Sequence, residues 1–131
     1  MHFSASVIYA LRAMLLLARV YKLEIVSVKV ITEREKIPSK FLEQLLRKLR
    51  SAGLVESHRG KDGGYTLALS PASINFLDIY QAIEGPLVIY DHQDELSWIG
   101  QKATDALITS LSISLETILY QSDQVQRSYS I

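Results

Sequence analysis

Residues 60–64 read Gly-Lys-Asp-Gly-Gly and lie between two short segments of strand length, 54–59 and 65–69. Two such runs joined by residues that tolerate a positive φ specify a tight hairpin. In the second run Tyr65, Leu67 and Leu69 share one face, the pattern of a half-buried strand. Upstream, Phe41, Leu42, Leu45, Leu46 and Leu49 recur at helical spacing, and Gly53 stands where a left-handed stop is expected. The spacing predicts a helix over 38–52, opened by Pro38, whose ring pushes Ile37 out of helical conformation. An isolated hairpin is unstable in water, so its apolar face has to rest on neighbouring helices.

The rest of the chain supplies those helices. Ile8, Leu11, Leu15 and Ala18, flanked by Val7 and Leu16, predict a helix over 6–21. Ser27 is a plausible cap for a short helix ending near Lys36. Pro71 closes the hairpin, Asn75 and Asp78 resemble a capping box for a helix Phe76–Glu84, and Gly85-Pro86 stops it. After an irregular acidic stretch over 87–95, Leu96, Ile99, Ala103, Leu107 and Leu111 predict the longest helix, 96–111. Ser114 then caps a short last helix to Tyr120, and a polar tail follows. The fold class expected is mainly α with a small β-hairpin wing: a winged helix-turn-helix over 1–86, with recognition helix 38–52 and wing 54–69. Residues 87–131 would form a linker, a dimerisation helix and the tail.

Charge gives this architecture a direction. The chain carries fourteen Lys/Arg and fourteen Asp/Glu, but residues 1–70 hold twelve and six, a net of +6, and the remainder holds two and eight, a net of −6. A basic half marks a polyanion partner if its charges share a surface. With the leucines of helix 38–52 turned inward, the outward stripe is Ser39, Lys40, Glu43, Gln44 and Arg47. Lys and Arg can read guanine or hold phosphate, Gln can read adenine, and Glu can accept from cytosine. Phosphate repels Glu43, which suits it to base reading. On the hairpin, His58, Arg59, Gly60, Lys61, Gly63 and Gly64 combine cations with backbone free to approach a sugar–phosphate surface, and an Arg is drawn into a narrow minor groove. These eleven residues are the candidate contacts to double-stranded DNA. The alternative is an interaction module whose basic face docks an acidic protein partner.

Other functions are excluded or disfavoured. Without any cysteine there is no disulfide, thiolate metal site or cysteine nucleophile. The glycine-rich loop is no phosphate-binding P-loop, since no Lys-Ser/Thr follows it and a strand comes next. His2 and His58 lack partners for acid–base work, and Ser110, Ser112 and Ser114 lack a base, so no enzyme is expected. Asp91, His92, Asp94 and Glu95 read as a solvated acidic loop, and no metal or cofactor is expected. Arg12 and Arg19 interrupt the apolar run over 7–20, which argues against a membrane span or signal peptide and for the cytoplasm. The stripe Leu96, Ile99, Ala103, Leu107 and Leu111, with Trp98 as anchor, reads as a homodimer interface. Two subunits would then meet a near-palindromic operator.

The ordered set Tyr9-Ala10-Leu11-Arg12-Ala13-Met14, Phe41-Leu42-Glu43-Gln44-Leu45-Leu46, Ala52-Gly53-Leu54-Val55, Arg59-Gly60, Gly63-Gly64-Tyr65 and Ala82-Ile83-Glu84-Gly85-Pro86 resembles the Rrf2-type bacterial transcriptional regulators. The resemblance covers nearly the whole chain. It implies a DNA-binding winged helix and a dimer paired through the long C-terminal helix, and the function expected is that of a homodimeric repressor. It places DNA contacts on Ser39, Lys40, Glu43, Gln44 and Arg59. Many members hold an iron–sulfur cluster through three cysteines ahead of the dimer helix, where this chain reads Val88-Ile89-Tyr90-Asp91-His92-Gln93-Asp94-Glu95. The chain therefore resembles the cluster-free branch, in which a metabolic enzyme can act as co-regulator. The family's initial Lys-Gly-Arg is Ser6-Val7-Ile8 here, and a common recognition-helix Tyr is Phe41.

Overall fold

Helix α1 (Ala5–Arg19) starts at Ser4, whose hydroxyl oxygen accepts the Val7 N–H at 3.2 Å and whose hydroxyl proton goes to Glu84. A computed structural model describes residues 2–129. Val7, Ala10, Ala13, Met14 and Leu17 of α1 are buried, and the small alanines let other helices approach closely. Against this face pack α2 (Val28–Glu35), α3 (Ser39–Ser51), strand β2 (Gly64–Leu67), α4 (Phe76–Glu84) and α6 (Leu115–Tyr129).

Local chemistry sets most element ends. Ser27 caps α2 by accepting from Val30 N–H at 3.2 Å, and Lys36 ends it in the left-handed region. Ala52 caps α3 and Gly53 follows at φ 77°. The capping box at α4 is present, with Asn75 N–H donating to the Asp78 carboxylate at 2.9 Å. Strand β1 (Val55–His58) pairs antiparallel with β2 in the register Val55↔Leu67 to His58↔Gly64. Both strands are shorter than expected, and Leu69 lies past the strand and is exposed. The hairpin also gains a partner that alternation did not reveal. Val26, in the α1–α2 connection, bridges Tyr65 on the free edge of β2.

The largest departure from expectation is at the C-terminus. Helix α5 (Ser97–Leu111) has 15 residues and is not the longest, since α1 and α6 match it. The predicted short helix to Tyr120 with a polar tail is instead one helix to Tyr129. Ser114 does cap it, accepting from Thr117 N–H at 3.1 Å. The polar run from Gln121 is the outer face, while Leu115, Ile118 and Leu119 turn inward onto the core. Asn75 and Ser114 form a backbone bridge that clips the start of α6 to the start of α4, with Phe76 N–H bonded to Ile113 O and Leu115 N–H to Ile74 O at 2.8 Å each. A bidentate pair between Arg19 and Asp123 holds the next turns of α6 to the end of α1. The core of the winged helix is thus completed by Leu115, well beyond residue 86. Among the described residues, no helix is long and apolar enough to cross a membrane.

Candidate nucleic-acid interface

Helix α3 divides cleanly by face. Leu42, Leu45, Leu46 and Leu49 are buried, whereas Ser39, Lys40, Glu43, Gln44 and Arg47 are all exposed. The inner face is fixed by burial, so the outer stripe cannot rotate away without exposing four leucines. Phe41 sits between the two faces and packs edge-on against Tyr9 with ring centroids 5.6 Å apart. Lys48 is drawn out of the candidate surface, since its ammonium donates to the Ile83 carbonyl at 3.3 Å near the end of α4.

The entrance of α3 adds a feature that reading the side chains alone missed. Pro38 occupies the N-cap position and no side chain caps the helix. The Ser39, Lys40 and Phe41 amides therefore have no intrahelical acceptor, and an uncapped N-terminus attracts anions. The signal was available in sequence: a proline cap offers no side-chain acceptor.

At the wing, Arg59, Gly60 and Lys61 are exposed at the hairpin tip, where Gly63 N–H returns to Gly60 O at 3.1 Å. His58 is half-buried, and its Nε2 lies 2.8 Å from the Thr66 hydroxyl on the paired strand. Gly63 and Gly64 are half-buried too, and their identity has an intramolecular cause. A Cβ on Gly63 would stand 2.2 Å from the His58 carbonyl, and one on Gly64 would stand 2.2 Å from the Val26 carbonyl. Each glycine is thus already required by the close approach of the protein's own backbone.

Helix α5 presents Trp98 and Ile99 to solvent, as does Leu96 at its N-cap, and Trp98 is 65% exposed. Ala103, Leu107 and Leu111 are half-buried, and Leu111 leans on the core. Gly100 is the one buried residue of α5 among those described. An apolar face left this open on a small chain is a feature of partner surfaces.

Between α4 and α5 the acidic segment folds on itself. Tyr90 donates to one Asp94 carboxylate oxygen at 2.6 Å, and Leu96 N–H donates to the other at 2.8 Å. Asp94 N–H donates to Ser97 Oγ, whose proton goes to the His92 carbonyl at 2.8 Å. Accepting that bond, Asp94 holds the Tyr90 phenol above its ordinary range.

Comparison with known proteins bears on this arrangement. The Rrf2 family model, described as an iron-dependent transcriptional regulator, matches residues 3–122. The HTH-type transcriptional regulator CymR of Bacillus subtilis is 34% identical over 126 residues, which span 92% of this chain and 91% of that protein. A Mycobacterium tuberculosis protein described as an HTH-type transcriptional regulator is 40% identical over 87 residues, 66% of this chain. There the chain spans about half the relative's length, 54%. Among solved structures, B. subtilis CymR, described as the global cysteine regulator, superposes with a TM-score of 0.81 at 32% identity, covering 92% of this chain and 98% of that one. T. potens IscR superposes with a TM-score of 0.81 at 34% identity, covering 96% and 91%.

The iron in the family's description does not fit these residues. There is no cysteine to ligate a cluster, and among the described residues no three His, Cys, Asp or Glu side chains converge as a metal site. Asp94 is already committed to Tyr90 and Leu96. Asp91, His92 and Glu95 are exposed around it.

Proposed function

The chain belongs to the Rrf2 family of transcriptional regulators, and from that premise we propose that it is a sequence-specific, homodimeric repressor acting in the cytoplasm without an iron–sulfur cluster. The observation that carries the reading is the split of α3, four buried leucines beneath an exposed stripe of Ser39, Lys40, Glu43, Gln44 and Arg47. Such a helix can enter a major groove while its inner face stays fixed. Its uncapped first turn suits a phosphate, and Arg59 and Lys61 at the wing tip suit the neighbouring backbone or minor groove. In this reading His58 and the wing glycines shape the tip, and Gly60, Gly63 and Gly64 bring backbone near the sugars.

Pairing of two chains through Leu96, Trp98, Ile99, Ala103, Leu107 and Leu111 would cover the apolar face of α5 and present two recognition helices to a near-palindromic operator. The 1–86 and 87–131 division then describes roles: one part reads DNA and the other joins subunits, although α6 packs with the first. With no cluster to carry a signal, a metabolic enzyme acting as co-regulator is the input that the family resemblance implies.

Binding to fragments from the protein's own upstream region, measured across a salt series, tests the proposal. Sequence-dependent binding that weakens steeply with salt is expected. No binding at low salt, or equal binding to every fragment, would overturn it.

A further inference from the structure

Where α6 sits on α1, beside the end of α2, it leaves a polar cleft of about 590 Å³, within the usual range for small-molecule sites. Its charged and polar walls are Arg12 and Arg19 from α1, Glu35 from α2, and Ser122, Asp123 and Gln126 from α6. Arg12 and Arg19 are seven residues apart, two turns along one face, so their Cα atoms stand roughly 10 Å apart along the axis.

The four charges are not equivalent. Arg19 and Asp123 neutralise each other through two hydrogen bonds, at 2.6 and 3.2 Å. This is the one ion pair within 4 Å among the described residues. The Asp123 hydrogen bond is the main reason the Arg19 guanidinium holds its proton more tightly than usual, and nearby Glu35 adds to that effect. Arg12 has no hydrogen-bond or ion-pair partner among the described residues, and Glu35 has only that longer-range attraction to Arg19. The cleft is therefore neutral in sum but polarised, with an open cation at the Arg12 end and an open anion at the Arg19 end.

That distribution selects a ligand class. A simple anion would meet Glu35 and Asp123, and a simple cation would meet Arg12 and Arg19. A molecule carrying both signs satisfies the two open groups and leaves the Arg19–Asp123 pair intact. We propose that this cleft binds a small zwitterion, a free amino acid or a short peptide, with its carboxylate on Arg12 and its ammonium on Glu35. Ser122 provides polar lining for the rest of the ligand. The inference does not depend on DNA binding, and its test uses no DNA.

The full chain is titrated calorimetrically with the standard L-amino acids and with Gly-Gly, alongside propionate and ethylammonium as single-charge controls. At least one zwitterion binds saturably with one site per chain, and neither control does. A response to Gly-Gly alone assigns the longer ligand, and a response to a free amino acid assigns the shorter. Arg12→Ala and Glu35→Gln each weaken binding at least about tenfold, the loss expected for a charged hydrogen bond. Arg12→Lys restores part of it. Both side chains lie on the protein surface, so unchanged thermal unfolding shows that the variants are folded, and amide shifts at Ser122 and Asp123 locate the ligand. Absence of saturable binding across the panel, unaltered affinity in either variant, or shifts confined to another region would each overturn the proposal.

Discussion

Val26 and Tyr65, 39 positions apart in sequence, exchange both backbone hydrogen bonds, N–H to O at 3.1 Å in one direction and 2.8 Å in the other. The bridge ties the wing to the connection between α1 and α2. The wing is thereby a three-way junction, and its direction is set from the helical body.

The bridge exists because residue 64 has no side chain. Gly64→Ala would place a methyl 2.2 Å from the Val26 carbonyl, so backbone must move. The expected cost is about 1–3 kcal/mol in urea unfolding, as for other overpacked sites. DNA affinity should fall in step as the wing turns. An unchanged denaturation midpoint would show that the bridge gives way freely.

The two arms of the proposed interface should fail in different ways. Arg59→Ala is expected to weaken binding to all sequences and to lower the log–log salt slope by about one, since one cation fewer releases counterions. Gln44→Ala should leave that slope alone and relax preference at one base pair per half-site, a loss of about 1–3 kcal/mol of discrimination. Titrations with operator and scrambled duplexes at several salt concentrations separate the two.

Ile99 is half exposed on α5, beside Trp98. Ile99→Asp puts a charge in the proposed subunit contact, where desolvation opposes association. Sedimentation should show a shift from dimer to monomer with helix content preserved, and operator affinity should drop with it. A wild-type chain that sediments as a monomer would remove the contact from consideration.

Leu115 is fully buried at the start of α6. Leu115→Ala should cost about 2–5 kcal/mol by chemical denaturation, the range for a core leucine whose cavity does not collapse. Were α6 only an appendage, the loss would be a small fraction of that.

The Arg19–Asp123 pair gives the hold on α6 a pH dependence. The Arg19 hydrogen bond keeps the Asp123 carboxyl below its ordinary value in the folded chain. The contribution is thus present above the unfolded aspartate value of about 3.9 and is lost as pH falls through the lower folded value. Protection of the α6 amides, corrected for the intrinsic exchange rate at each pH, should fall in that acid range, and Asp123→Asn should show the lower protection already at neutral pH with little further acid response. Equal acid profiles for both proteins would contradict the role of the pair.

What could be read from sequence was mostly what neighbours along the chain decide. The Ser27 cap, the Asn75–Asp78 box and the Gly53 stop each span a few residues, and each occurs where its residue types predict. The split of α3 followed from leucine spacing alone. Long-range decisions were hidden. Asp123 sits in a stretch that looks like a polar tail until Arg19, 104 positions away, is placed beside it. Val26 reveals no strand character because it pairs as a single bridge. Gly63 and Gly64 stand against the backbone of His58 and Val26, a contact that spacing along the chain could not reveal.

The packing of Leu115 also bears on how the chain matures during synthesis. Translation supplies about 5–20 residues each second. The wing and α3 emerge early, yet the apolar surface on α1 that receives Leu115, Ile118 and Leu119 stays uncovered until the last described helix leaves the ribosome. For those seconds the nascent chain exposes a sticky half-core, a natural target for chaperones, and premature termination before Leu115 would strand it in that state. The helical core around α1 therefore closes only after α6 has been made.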